Sequence, residues 1–137
     1  MHKLALALVA AICLVPALAF AADPAKDSAF QYCVNKDSCP FYFETTKNGK
    51  YLTDIKLYPK CAPVPVEKWG RIRVTEGKFS KSGKVTDLVG NKLTYSIKGK
   101  FKRPKKAVGT YEVDSKDCKD KAVAFVAKRT GKAQEGF

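Results

Sequence analysis

The chain is predicted to be all-β, an antiparallel sandwich or barrel of about seven to nine short strands stapled by disulfides. Three features carry that expectation. Brief apolar or aromatic runs are punctuated by turn residues, no helical periodicity persists over three turns, and several runs alternate apolar with polar residues. Alternation puts one face of a strand in the core and the other in water, the pattern of an antiparallel sheet.

The clearest unit is "CPFYFETTKNGKYLTDIKLYPKC", where aromatic and β-branched residues flank Asn48-Gly49. That dipeptide tolerates the positive φ angles of a tight hairpin, so 41 to 46 and 50 to 58 are expected to pair. Pro63 and Pro65 each lack an amide donor, which makes "CAPVPVEKW" a linker or edge segment. In "WGRIRVT", Ile72 and Val74 point one way and Arg71, Arg73 and Thr75 the other. Glu76-Gly77 forms a turn, "KFS" a short strand, and Ser82-Gly83 another turn before "KVTDLV". Alternation is cleanest from Lys92: Leu93, Tyr95, Ile97, Gly99 and Phe101 share the core face, and Lys98, Lys100 and Lys102 share the wet one. Pro104 ends that strand inside a basic turn holding Arg103, Lys105 and Lys106, and "AVGTYEV" returns antiparallel. "AVAFVAKR" reads as apolar on both faces, as in a central strand.

Residues 1 to 21 have the design of an export signal: Lys3, an apolar run from Leu4 to Phe20, and small residues at Ala19 and Ala21. Pro16 and the small-residue end argue against a membrane anchor, so no transmembrane segment is expected. Residues 22 to 40 are read as a leader with a small disulfide loop, 41 to 130 as a single β domain, and 131 to 137 as a frayed tail. Cys33, Cys39, Cys61 and Cys118 remain after cleavage, an even number with three possible connectivities, of which Cys33–Cys39 with Cys61–Cys118 is favoured. Their spacing does not match the close ligand pairs of a four-thiolate metal site.

"FETTKNGKYLTDIKL…C", "IRVTEGKFS", "SIKGKFKRPKKAVGTYEV…C" and "AFVAKR" together resemble a group of secreted bacterial β-rich domains of unknown function. The resemblance implies export and β architecture and carries over no catalytic residue.

Cleavage removes His2, the only histidine, so neither a serine or cysteine triad nor a histidine-bearing zinc site can be assembled. Glu44, Asp54, Glu67, Glu76, Asp87, Glu112 and Asp114 show no diagnostic spacing, and most sit beside turns or at outward positions, where a solvated surface carboxylate is the default. Ser80 or Ser82 beside Lys81 or Lys84 lies in an expected turn. Phosphate-loop, dinucleotide and calcium-loop patterns are absent, so no cofactor, no metal and no enzymatic activity are expected. Trp69 is read as a core anchor.

The mature chain would carry 25 Lys and Arg residues against 13 acids, a net +12. That excess attracts polyanions and goes beyond the net charge of about 2 to 8 that solubility needs. The expected function is a non-catalytic binding module for an anionic cell-envelope polymer or acidic glycan, with Arg71, Arg73, Lys98, Lys100, Lys102, Arg103, Lys105 and Lys106 as candidate binding residues. Specific nucleic-acid binding is not expected, because Tyr95 and Phe101 face away from the lysine row and leave it without a stacking platform. The alternatives are a structural or protein-interaction domain whose lysines serve solubility and edge protection, and a carboxylate-dependent hydrolase.

Overall fold

A computed structural model describes residues 21–59, 70–86, 90, 92–116 and 119–134. Eight antiparallel strands run β1 (Ser28–Tyr32), β2 (Phe41–Thr45), β3 (Tyr51–Leu57), β4 (Ile72–Arg73), β5 (Lys78–Thr86), β6 (Lys92–Arg103), β7 (Lys106–Ser115) and β8 (Lys119–Lys132). They form one sheet in the order β4-β3-β2-β1-β8-β7-β6-β5. Neighbours in sequence lie side by side, β1 pairs with β8, and β4 meets β5 through the Thr75–Lys78 turn. The result is a nearly closed up-and-down barrel.

The β4–β5 turn is the tight two-residue hairpin. Glu76 and Gly77 both have positive φ, at 53° and 73°, and Thr75 and Lys78 exchange backbone hydrogen bonds of 2.9 and 3.0 Å. The β2–β3 hairpin is built differently from the expected Asn48-Gly49 turn. Only Gly49 takes positive φ, its N–H donates to the Thr46 carbonyl at 2.9 Å, and Asn48 Oδ1 accepts from the Lys50 N–H at 2.9 Å.

The six phenylalanines of the described strands, Phe30, Phe41, Phe43, Phe79, Phe101 and Phe125, all lie in the barrel interior. Their rings are contiguous. Phe30 stacks on Phe43 at 5.0 Å, Phe101 meets Phe30 edge-on at 5.4 Å, and Phe125 meets Phe41 edge-on at 4.9 Å. Two glycines make room for them. Gly99 and Gly109 face each other across β6 and β7, with Phe79 opposite Gly99 on β5 and Phe125 opposite Gly109 on β8. A Cβ on Gly99 would meet the Phe79 ring at 2.5 Å, and one on Gly109 would meet the Lys98 carbonyl oxygen and, at 2.8 Å, the Phe125 ring.

Four expectations are corrected. Ser82-Gly83 is not a turn: 78 to 86 is one continuous strand, and Gly83 opposes Tyr95, whose phenol would lie 2.7 Å from a Cβ there. β8 is not apolar-buried on both faces. Phe125 and Ala127 point inward while Val126 is 42% exposed, because each barrel wall has one wet side. The segment read as leader contains β1, and the segment read as tail includes the end of β8. These are the two strands that close the barrel, with Ser28 paired to Lys132 and Ala29 to Gly131. Residues 21 to 27 are also built in. Ala22 N–H donates to the Phe101 carbonyl and Ala25 N–H to the Pro104 carbonyl, both at 2.7 Å.

Cys33 and Cys39 are bridged, closing the loop between β1 and β2. Cys61, Cys118, Trp69, Pro63, Pro65, Glu67, Asp87 and residues 1 to 20 lie outside the described residues.

Replacing Gly109 with alanine should destabilise the domain by about 1–3 kcal/mol through overpacking. Gly131→Ala, where a Cβ meets nothing within 4 Å, should cost little or nothing. Urea denaturation of the two variants checks the difference.

Candidate anionic-ligand site

Strand alternation sorts the sequence-predicted cations. Lys98 and Lys100 project outward from β6, about 7 Å apart along the strand. Lys78 on β5 is paired directly opposite Lys100, and Ser80 and Thr110 flank Lys98 from β5 and β7. Together with Arg73 of β4 they surround an open surface depression of about 680 Å³ that runs over the backbone of Gly99 and Gly109, with Val108 on its wall. Among the described residues, no acid lines it. An anion entering it meets four cations and the three hydroxyl residues Thr75, Ser80 and Thr110, with no carboxylate among the described lining residues to compete.

The other candidates sit elsewhere. Lys102 is exposed further along β6, next to a bulge, and Arg103, Lys105 and Lys106 form the β6–β7 turn region, where Arg103 pairs with Lys106. Arg71 leaves the group altogether and stands over the Tyr51 ring at 5.8 Å. Lys78 is the cation that the sequence reading misses. Its signal is present in "KFS", where Phe79 must point inward and Lys78 therefore outward. Cations also occur away from this depression: Lys36, Lys56, Lys121 and Lys128 are all exposed.

A second depression, of about 560 Å³, contains Asp27, Glu44, Asp54, Lys47 and Arg71. Glu44 departs from the solvated default expected of most carboxylates: it is only 3% exposed. Its Oε1 accepts the Gln134 N–H at 2.6 Å from the segment that follows β8. Asp54 occupies a left-handed backbone conformation, φ 49°, where the β2–β3 register shifts. Burial, and then the hydrogen bond with Asp54, push the Glu44 carboxyl above its ordinary value of 4.5. Tyr42 is pushed up to about 12 by burial and by the neighbouring Glu44 charge. The Glu44 and Asp54 carboxyls are in hydrogen-bond contact, closer than the roughly 5 Å or more that separates glycosidase acids.

No family model matches the chain, and neither a curated protein nor a solved structure does. The site therefore stands on its geometry alone.

A carboxyl whose folded pKa is raised contributes stability below its unfolded value and loses that contribution as pH rises through the folded one. Glu44→Gln keeps an acceptor for Gln134 and removes the titration. The stability of the native protein relative to this variant should therefore be greater at pH 4 than at pH 7. Urea titrations of both proteins at the two pH values measure it, and an equal gap at both would mean that Glu44 titrates normally.

Proposed function

We propose that this chain is an exported, non-catalytic binding domain whose Arg73–Lys78–Lys98–Lys100 depression takes an anionic polymer of the bacterial cell envelope or an acidic glycan. The single observation that carries the reading is the charge segregation: four cations converge on one depression from three strands, and no acid among the described residues lines it. A low-dielectric wall around charges of one sign concentrates their field and raises encounter rates with anions. The Cys33–Cys39 bridge is in keeping with an oxidising compartment, and the signal-like first 21 residues with export. The inward orientation of Phe79, Tyr95 and Phe101 leaves no stacking surface among the cations, which disfavours single-stranded nucleic acid. The outward face of β5, β6 and β7 carries Lys, Ser and Thr, the reverse of the apolar band of a lipid-facing barrel.

A second reading, lysines as solubility and edge-protecting groups on a structural domain, draws support from the cations on the other faces. One comparison separates the two. Substituting Lys78, Lys98 and Lys100 with Gln should lower the salt concentration that elutes the protein from immobilised heparin. It should also shallow the salt dependence by about one unit of log–log slope for each lysine replaced. Substituting Lys36, Lys56 and Lys121 with Gln removes the same charge away from the depression and should change retention far less. Equal reductions in the two variants would show that only net charge matters and would sink the site.

A further inference from the structure

Outward positions on β5 to β8 line up in rungs across the sheet. Lys78, Lys100, Val108 and Val126 are successive direct partners in one rung, and Ser80, Lys98, Thr110 and Ala124 in the next. The cations of these two rungs therefore stand on β5 and β6. On β7 and β8 the same rungs continue as two valines, a threonine and an alanine. Val126 is 42% exposed, Thr110 and Ala124 are exposed, and half-buried Val108 lies on the wall of the cationic depression. On the other side of the valine pair, Lys106 is paired with Lys128. Val108, Val126 and Ala124 thus form a small apolar strip bordered by lysines along β6 and along the Lys106–Lys128 rung. None of these three rungs contains an acid, and the first one along β7, Glu112, stands one outward position beyond Thr110.

The barrel interior does not need this strip. It is filled from the opposite faces of the same strands by Ala107, Tyr111, Phe125 and Ala127. Cross-strand β-branched pairs support a sheet, but threonine would serve that purpose and keep the wall wet. A hydrophilic anion held at Lys98 and Lys100 leaves both valines in water. An anion bonded to a hydrocarbon group covers them, so that removal of apolar surface from water adds to the attraction between charges. From β6 to β8 is two strand spacings, about 10 Å, a span that a hexyl ester covers from its phosphate. The cations and Val108 surround a concave depression, which encloses one head group, whereas a flat lipid surface would bridge over it.

Resting on the anionic-site reading above, we infer that the preferred ligand of the depression is a single-chain anionic amphiphile, with its phosphate or sulfate at Lys78, Lys98 and Lys100 and its hydrocarbon part along Val108 and Val126. The lysines hold the charge, and the valine pair selects anions that carry an apolar group.

The test is a titration of the isotopically labelled protein, followed by amide NMR, with methyl phosphate and hexyl phosphate as probes, both monomeric in solution. Both should shift the amides of Lys98 and Lys100, and only the hexyl ester should shift that of Val126. The hexyl ester should bind about tenfold more tightly, as expected when an open wall covers part of its chain. Val108→Thr with Val126→Thr keeps the β-branched side chains that strands favour and should reduce that ratio to about twofold or less. Retained spectral dispersion reports that the double variant is folded, and Val126→Thr alone repeats the measurement if it is not. Equal affinity of the two esters overturns the inference and leaves the anionic site standing, as does a tenfold ratio that survives in a folded variant. Equal affinity together with co-sedimentation on phosphatidylglycerol vesicles that the valine substitutions abolish would assign the strip to a lipid surface instead. If neither ester shifts the Lys98 and Lys100 amides, the anionic-site reading itself fails.

Discussion

The facing pair Gly99 and Gly109 is the constraint on which the barrel depends. Without Cβ atoms, β6 and β7 can carry Phe79 and Phe125 laid against their backbones from either side. This fits the interior to six phenylalanines, which supply most of the large side chains in a core of this size. The same two glycines form the floor of the cationic depression on the outer surface. One backbone feature thus serves packing on the inside and access on the outside.

Barrel closure decides the rest. An open eight-strand meander would leave β1 and β8 as bare edges, and pairing them removes both. The remaining junction, between β4 and β5, is held by a two-residue turn. The first residues of the described chain are bonded to the carbonyls of Phe101 and Pro104, so the end of the barrel carrying the β6–β7 turn is stitched by a segment remote in sequence. The segment after β8 does the same for Glu44 at Gln134.

Strand character was readable wherever one face is wet. From Lys92 to Arg103 the alternation assigns every inward residue, and Leu93, Tyr95, Ile97 and Phe101 are buried as that assignment requires. It failed at Gly83, which looks like a turn residue until Tyr95 is known to lie opposite it. It failed also at "AVAFVAKR", where alanine and valine on the wet side mimic a buried strand. For the site, the pattern supplied Lys98, Lys100 and Arg73. Periodicity within one strand cannot show that Lys78 lies opposite Lys100, or that Arg71 departs toward Tyr51.

The sequence by itself determined the all-β class and the inward and outward faces of the long strand from Lys92 to Arg103, and it favoured the Cys33–Cys39 pairing that the structure contains. These are properties of local periodicity and composition. Only the tertiary structure decided that the sheet closes by β1 on β8, that Glu44 is buried against Asp54, and that Arg73, Lys78, Lys98 and Lys100 share one depression. Each depends on register between strands, and register is set by the packing of the phenylalanine core rather than by any single strand.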